Sequence, residues 1–74
     1  MKPMEIVRAI MELKDIRPAV LGSRLNIKSN VLSERFKQKN VSVDKLNEML
    51  RVMDYKIVIM PADGKLPKDS YEVE

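Results

Sequence analysis

Ser29, Asn30 and Ser33 are the residues of this 74-residue chain best placed to hydrogen-bond an external partner. At 100° per residue, Asn30, Ser33, Glu34 and Lys37 share one arc of a helix, with Ser29 in its exposed first turn. Ser and Asn are poor helix formers, so their use on an outer face asks for a reason beyond solvation. Bases surround them. Between Arg17 and Lys45 stand seven bases (Arg17, Arg24, Lys28, Arg35, Lys37, Lys39, Lys45) and two acids, Glu34 and Asp44, a local net charge of +5. The rest of the chain holds seven bases and nine acids, for −2, and the whole carries +3. Such an island suits a polyanionic partner, because each phosphate contact releases condensed counterions. The alternative for the same side chains is an ordinary solvated face.

Other chemistries are poorly supplied. The chain has no Cys, which excludes disulfides, thiolate metal sites and cysteine nucleophiles, and no His, the commonest metal ligand and neutral-pH base. Gly22 and Gly64 lie too far apart to form a phosphate-cradling loop. The acids are scattered, and the serines lack a histidine base. The longest apolar run, Ile57 to Met60, is far shorter than the ~20 residues of a membrane span. Met1 to Glu5 meets charge at once and has no signal-peptide core. The expectation is a soluble, cytoplasmic, non-enzymatic domain with no cofactor, no metal and no membrane partner.

Four helices must position the polar arc. The first is expected over Met1 to Lys14, with Met4, Ile6, Val7, Ile10, Met11 and Leu13 on its inner half. Arg17-Pro18 ends it and starts the second helix, about 18–25, which turns Leu21 and Leu25 inward. Gly22 beside that stripe costs about 1 kcal/mol relative to alanine and makes sense where another helix crosses closely. Asn26 suits a left-handed helix end, after which Ile27 plugs the core. The third helix, about 29–36, buries Val31, Leu32 and Phe36. A basic loop, 37–40, leads to Ser42 as N-cap of a fourth helix from Val43 to about Met53, with Val43, Leu46, Met49, Leu50 and Met53 inward and Asp54 as terminator. Phe36 and the six methionines read as core or interface filling.

The period then changes. Tyr55 to Met60 is β-branched and aromatic, and Pro61 stops it, a strand signal over 55–61. Asp63-Gly64 is a turn, and 62–74 is a tail that either frays or forms a weak second strand around Tyr71 and Val73. A lone strand leaves its edges unpaired. Pairing with a second copy would bury Ile57, Val58, Ile59 and Met60 at a dimer interface; a hairpin with Ser70–Glu74 is the competing arrangement.

The segment from Arg17 to Phe36 resembles the helix-turn-helix of Cro/C1-type, Xre-like regulators. Leu21 matches the apolar residue of that motif's first helix, Gly22 its small crossing residue, Leu25-Asn26-Ile27 its turn and Leu32 its buried aliphatic, while Ser42 to Leu46 resembles the start of the family's fourth helix. The resemblance covers about Met4 to Met53. It departs at Pro18, where the family often has a phosphate-binding glutamine, at Asn26 and Gln38 in place of glycines, and at Arg35, often apolar. It implies a mainly α, four-helix lambda-repressor-like domain over 1–54, here followed by a dimerisation strand in place of a fifth helix. It further implies a DNA-binding transcription regulator, a homodimeric repressor whose third helix enters the major groove of double-stranded DNA. Ser29, Asn30 and Ser33 would then meet base edges, and Arg17, Lys28, Lys37 and Lys39 phosphates. Glu34 would either accept from cytosine or balance local charge. The rival is a protein-interaction module of the same fold, such as an antitoxin whose strand and acidic tail bind a toxin protein.

Overall fold

The computed structural model describes all residues, Met1–Glu74. Four helices are formed in the order α1 (Pro3–Lys14), α2 (Pro18–Leu25), α3 (Ser29–Lys37) and α4 (Val43–Arg51). Their boundaries lie within about two residues of those expected from the sequence. α2 packs on α3, and α4 packs on both α1 and α2. No helix is long and apolar enough to cross a membrane.

Three of the four helices stop in the same way. Asp15, Asn26 and Asp54 follow α1, α2 and α4 in the left-handed conformation, with φ of 55°, 57° and 65°. Short polar residues tolerate that region at lower cost than most non-glycine residues. In each case the next residue's N–H reaches back five residues: Ile16 to the Met11 carbonyl (2.8 Å), Ile27 to Gly22 (3.0 Å) and Tyr55 to Leu50 (2.9 Å). Each residue that follows the reversal, Ile16, Ile27 and Tyr55, packs against the core. α3 ends differently. Gln38 leaves it in an extended conformation, φ −73°, so no glycine is needed there.

The core consists of Met4, Ile6, Val7, Ile10, Met11, Leu21, Leu32, Leu46, Met49, Leu50 and Met53, with Leu25, Ile27 and Phe36 packed at its border. Three expected core residues are instead exposed: Leu13, Val31 and Val43. Leu13 and Val43 lie at a helix end, and Val31 on the flank of a two-turn helix, beyond the reach of the neighbouring helices. Of the methionines, Met4, Met11, Met49 and Met53 are buried, whereas Met1 and Met60 are exposed.

The expected strand over 55–61 is not formed. Beyond the turn-closing N–H of Tyr55, no backbone group from Lys56 to Met60 makes a hydrogen bond within the chain. The β-rich composition is there, but a strand needs a neighbour and this chain brings none alongside. The weak second strand within 62–74 and the hairpin with Ser70–Glu74 are likewise absent. Gly64 N–H closes a turn onto the Pro61 carbonyl (3.0 Å), and the tail runs back to the start of α1. There Glu74 N–H donates to the Met1 carbonyl (3.0 Å) and the Met1 nitrogen to the Glu72 carbonyl (3.0 Å). The tail is therefore neither frayed nor a strand. Tyr71 anchors it, half-buried and 6.4 Å from the ring of Tyr55, whose hydroxyl donates to the Asp69 carbonyl (3.2 Å).

Candidate nucleic-acid interface

α2 and α3 are joined by three residues, Asn26, Ile27 and Lys28, and their spacing depends on Gly22. A Cβ built on Gly22 would stand 3.4 Å from the Ile27 carbonyl oxygen and 3.7 Å from Leu32 Cδ2. The crossing thus admits one carbon and no more. Buried Leu21 and Leu32 hold the two helices to the core from beneath. The opposite side of α3 faces solvent: Ser29, Asn30, Ser33, Glu34 and Lys37 are all exposed. All three side chains expected to hydrogen-bond a partner are accessible together on one helix.

The bases divide into two groups. Arg24 and Arg35 are tied to the fold. Arg24 Nη1 donates to the Val52 carbonyl (3.1 Å), linking α2 to the end of α4. Arg35 is buried, with Nη1 3.6 Å from Glu48 Oε1 of α4 and no hydrogen-bond partner. Its charge links α3 to α4. Arg17, Lys28, Lys39 and Lys45 are exposed and make no ion pair. Lys37 Nζ stands 3.8 Å from Glu34 Oε1, both largely exposed. Such a pair contributes at most about 1 kcal/mol and yields readily to a stronger anion. For Glu34 this contact favours local charge balance.

The helix starts separate in a parallel way. At α1 the Glu5 carboxylate accepts from the Lys2 N–H (2.8 Å), and at α4 the Ser42 hydroxyl accepts from the Lys45 N–H (3.2 Å). α1, α2 and α3 all have a base as N-cap residue, Lys2, Arg17 and Lys28, and no side-chain N-cap; Glu5 compensates in the first turn of α1, whereas the first turns of α2 and α3 hold no acid. A cation at a helix N-terminus opposes the macrodipole, and neither Arg17 nor Lys28 supplies an acceptor for the free N–H groups. At α3 the N–H groups of Ser29, Asn30 and Val31 are free for an anion; at α2 only that of Ala19 is, because Pro18 has none and Val20 donates to the Arg17 carbonyl (2.9 Å). Lys45 was not among the contact residues expected from sequence. It is exposed in the first turn of α4, just past the basic loop that holds Lys39, and its place in the +5 island was the available signal.

Ile57, Val58, Ile59 and Met60, the expected dimer interface, are exposed, Ile59 at 96%. They lie beyond the last buried residue, Met53, and are separate from the basic surface in sequence. No group of three or more acidic side chains is placed to hold a metal ion. No family, curated protein or solved structure matches this chain.

Proposed function

We propose that the chain is a helix-turn-helix regulator of the Cro/C1 type, a non-enzymatic cytoplasmic protein that binds double-stranded DNA sequence-specifically and acts as a homodimeric repressor. The observation that carries this reading is the pair of base-headed, acid-free first turns of α2 and α3 beside a short-polar helix face. Phosphates would satisfy the N-termini of α2 and α3 and the charges of Arg17, Lys28, Lys37 and Lys39, fixing register without reading sequence. α3 would lie in the major groove with Ser29, Asn30 and Ser33 against base edges, Asn30 bonding an adenine through two atoms. Two copies would pair through Lys56–Met60, whose backbone donors and acceptors are unused within the chain, and present two α3 helices about 34–36 Å apart, one DNA turn. The same unused segment suits the rival reading, an antitoxin-like module whose C-terminal part binds a toxin protein.

The deciding experiment is selection from random duplexes followed by titration of the winner across salt concentrations. Affinity should fall steeply with salt. Asn30→Ala should cost about 1–3 kcal/mol on the selected site and relax one base position. Lys37→Ala should weaken all duplexes alike and lower the salt slope by about one. Absence of duplex binding even at low salt would refute the DNA reading and leave the protein-binding module in its place.

A further inference from the structure

Between the C-terminal segment and the helices lies a cleft of about 330 Å³, within the size range of small-molecule sites, about 300–1,000 Å³. Its floor is Ile6 and Ile10 of α1 with Leu46 and Leu50 of α4. One wall is the irregular segment with Ile57, Val58 and Met60, and the other is the tail with Leu66, Tyr71 and Val73. The floor residues are each at most 6% exposed. Solvent scarcely reaches the floor, so the accessible lining is the two walls, where Ile57, Met60, Leu66 and Val73 are 37–51% exposed. The size of the cleft suits a small ligand entering between the walls.

The charge at the cleft is one-sided. The residues after Asp54 hold four acids and three bases, yet the only charged residues that line the cleft are Lys56 and Lys65. Neither lysine has a carboxylate partner. Tyr55, Ser70 and Tyr71 add hydroxyls to an otherwise apolar lining. An apolar cavity with a few convergent polar groups is the ordinary form of a ligand site, and here the polar groups select for negative charge.

We propose that this cleft binds a small amphipathic anion, a medium-chain carboxylate whose chain lies between the walls, against Ile57, Met60, Leu66 and Val73, while its head meets Lys56 and Lys65. The chain gains from leaving water at about 0.8 kcal/mol per buried methylene, and the head exchanges water for two ammonium groups. The ligand would bridge the tail to the helical body, which a few hydrogen bonds, the ion pairs of Glu74 with the Met1 amine and Lys2, and the packing of Tyr71 now join. The site rests on the cleft alone and needs no DNA binding, although its wall, Lys56–Met60, is the segment proposed above to pair two copies.

The protein carries its own probe. It has no tryptophan and two tyrosines, and both tyrosines, Tyr55 and Tyr71, line the cleft. Tyrosine emission is therefore to be followed while decanoate, decanol or decyltrimethylammonium is added below its micellar concentration. Decanoate should give a saturable change at one ligand per chain, about tenfold tighter than either of the others, as expected for two exposed charge contacts. The Lys56→Glu/Lys65→Glu double variant alters only exposed side chains, should melt like wild type, and should lose that tenfold advantage. Equal affinity for the three amphiphiles, or no saturable change, would overturn the proposal. So would sedimentation showing a dimer that excludes decanoate, since a second copy would then be the occupant.

Discussion

The helical body and the C-terminal segment are equally rich in apolar residues, yet only the first has a core. All 13 buried residues lie between Met4 and Met53, and none in the 21 residues that follow. The radius of gyration, 12.5 Å, exceeds the roughly 11 Å of a compact chain of this length, as a loosely wrapped segment would cause. A helix closes its own backbone hydrogen bonds and needs neighbours only for one stripe of side chains. Four short helices meet that need for one another. A strand has open donors and acceptors on both edges, so the same hydrophobicity in 55–60 produces no structure until another strand arrives. Apolar composition is thus a requirement for burial, and a partner is the second one.

The sharpest test of this contrast replaces one residue from each region. Leu21 is fully buried and Ile59 almost fully exposed. Leu21→Ala should destabilise by about 2–5 kcal/mol, whereas Ile59→Ala should change monomer stability by less than about 0.5 kcal/mol. Denaturant melts of the two variants measure both. A large loss from Ile59→Ala would mean that the segment is already packed against a second copy.

Within the helical body, the α2–α3 crossing should be the tightest point. Gly22→Leu should cost about 1–3 kcal/mol by overpacking. Gly22→Ala should be tolerated, because its added carbon would meet only ordinary contacts at 3.4 Å and 3.7 Å. If thermal unfolding shows the leucine variant to be as stable as wild type, the two helices do not approach as described.

The segment itself is probed by Val58→Pro. The Val58 N–H has no partner in the single chain, so the monomer should melt within about 0.5 kcal/mol of wild type. A dimer ribbon would lose a donor and be interrupted by the ring. Sedimentation at tens of micromolar should therefore give a dimer for wild type and a folded monomer for the variant. A variant that stays dimeric would place the interface elsewhere.

The smallest effect concerns the tail's anchor. Desolvation, followed by Tyr71 and Asp69, holds the Tyr55 phenol above the ordinary tyrosine range. The folded chain then keeps this proton to higher pH than the unfolded chain. Stability should be flat below the ordinary tyrosine pKa and decline as pH rises through the folded value. Tyr55→Phe should abolish that alkaline decline, read from melting temperature against pH.

The sequence alone determined the four helices and their ends, because the causes are local. Pro18 starts a helix wherever it stands, Ser42 caps the residues beside it, and Asn26 and Asp54 adopt the left-handed turn from their own side chains. It also determined that Ser29, Asn30 and Ser33 would share one exposed face, since helical period fixes relative direction. What only tertiary structure decided was the use of each charge and the course of the last 21 residues. Arg24 and Arg35 count among seven bases in the sequence, yet they meet Val52 and Glu48 on an element more than ten residues away. Lys56 and Lys65 are ordinary lysines until the tail folds back and encloses a cleft between them. Helical order follows from neighbours three and four residues apart, which any reading of the chain contains; strand pairing, ion pairing and cavities depend on which distant residues meet, and that is fixed only when the whole chain packs.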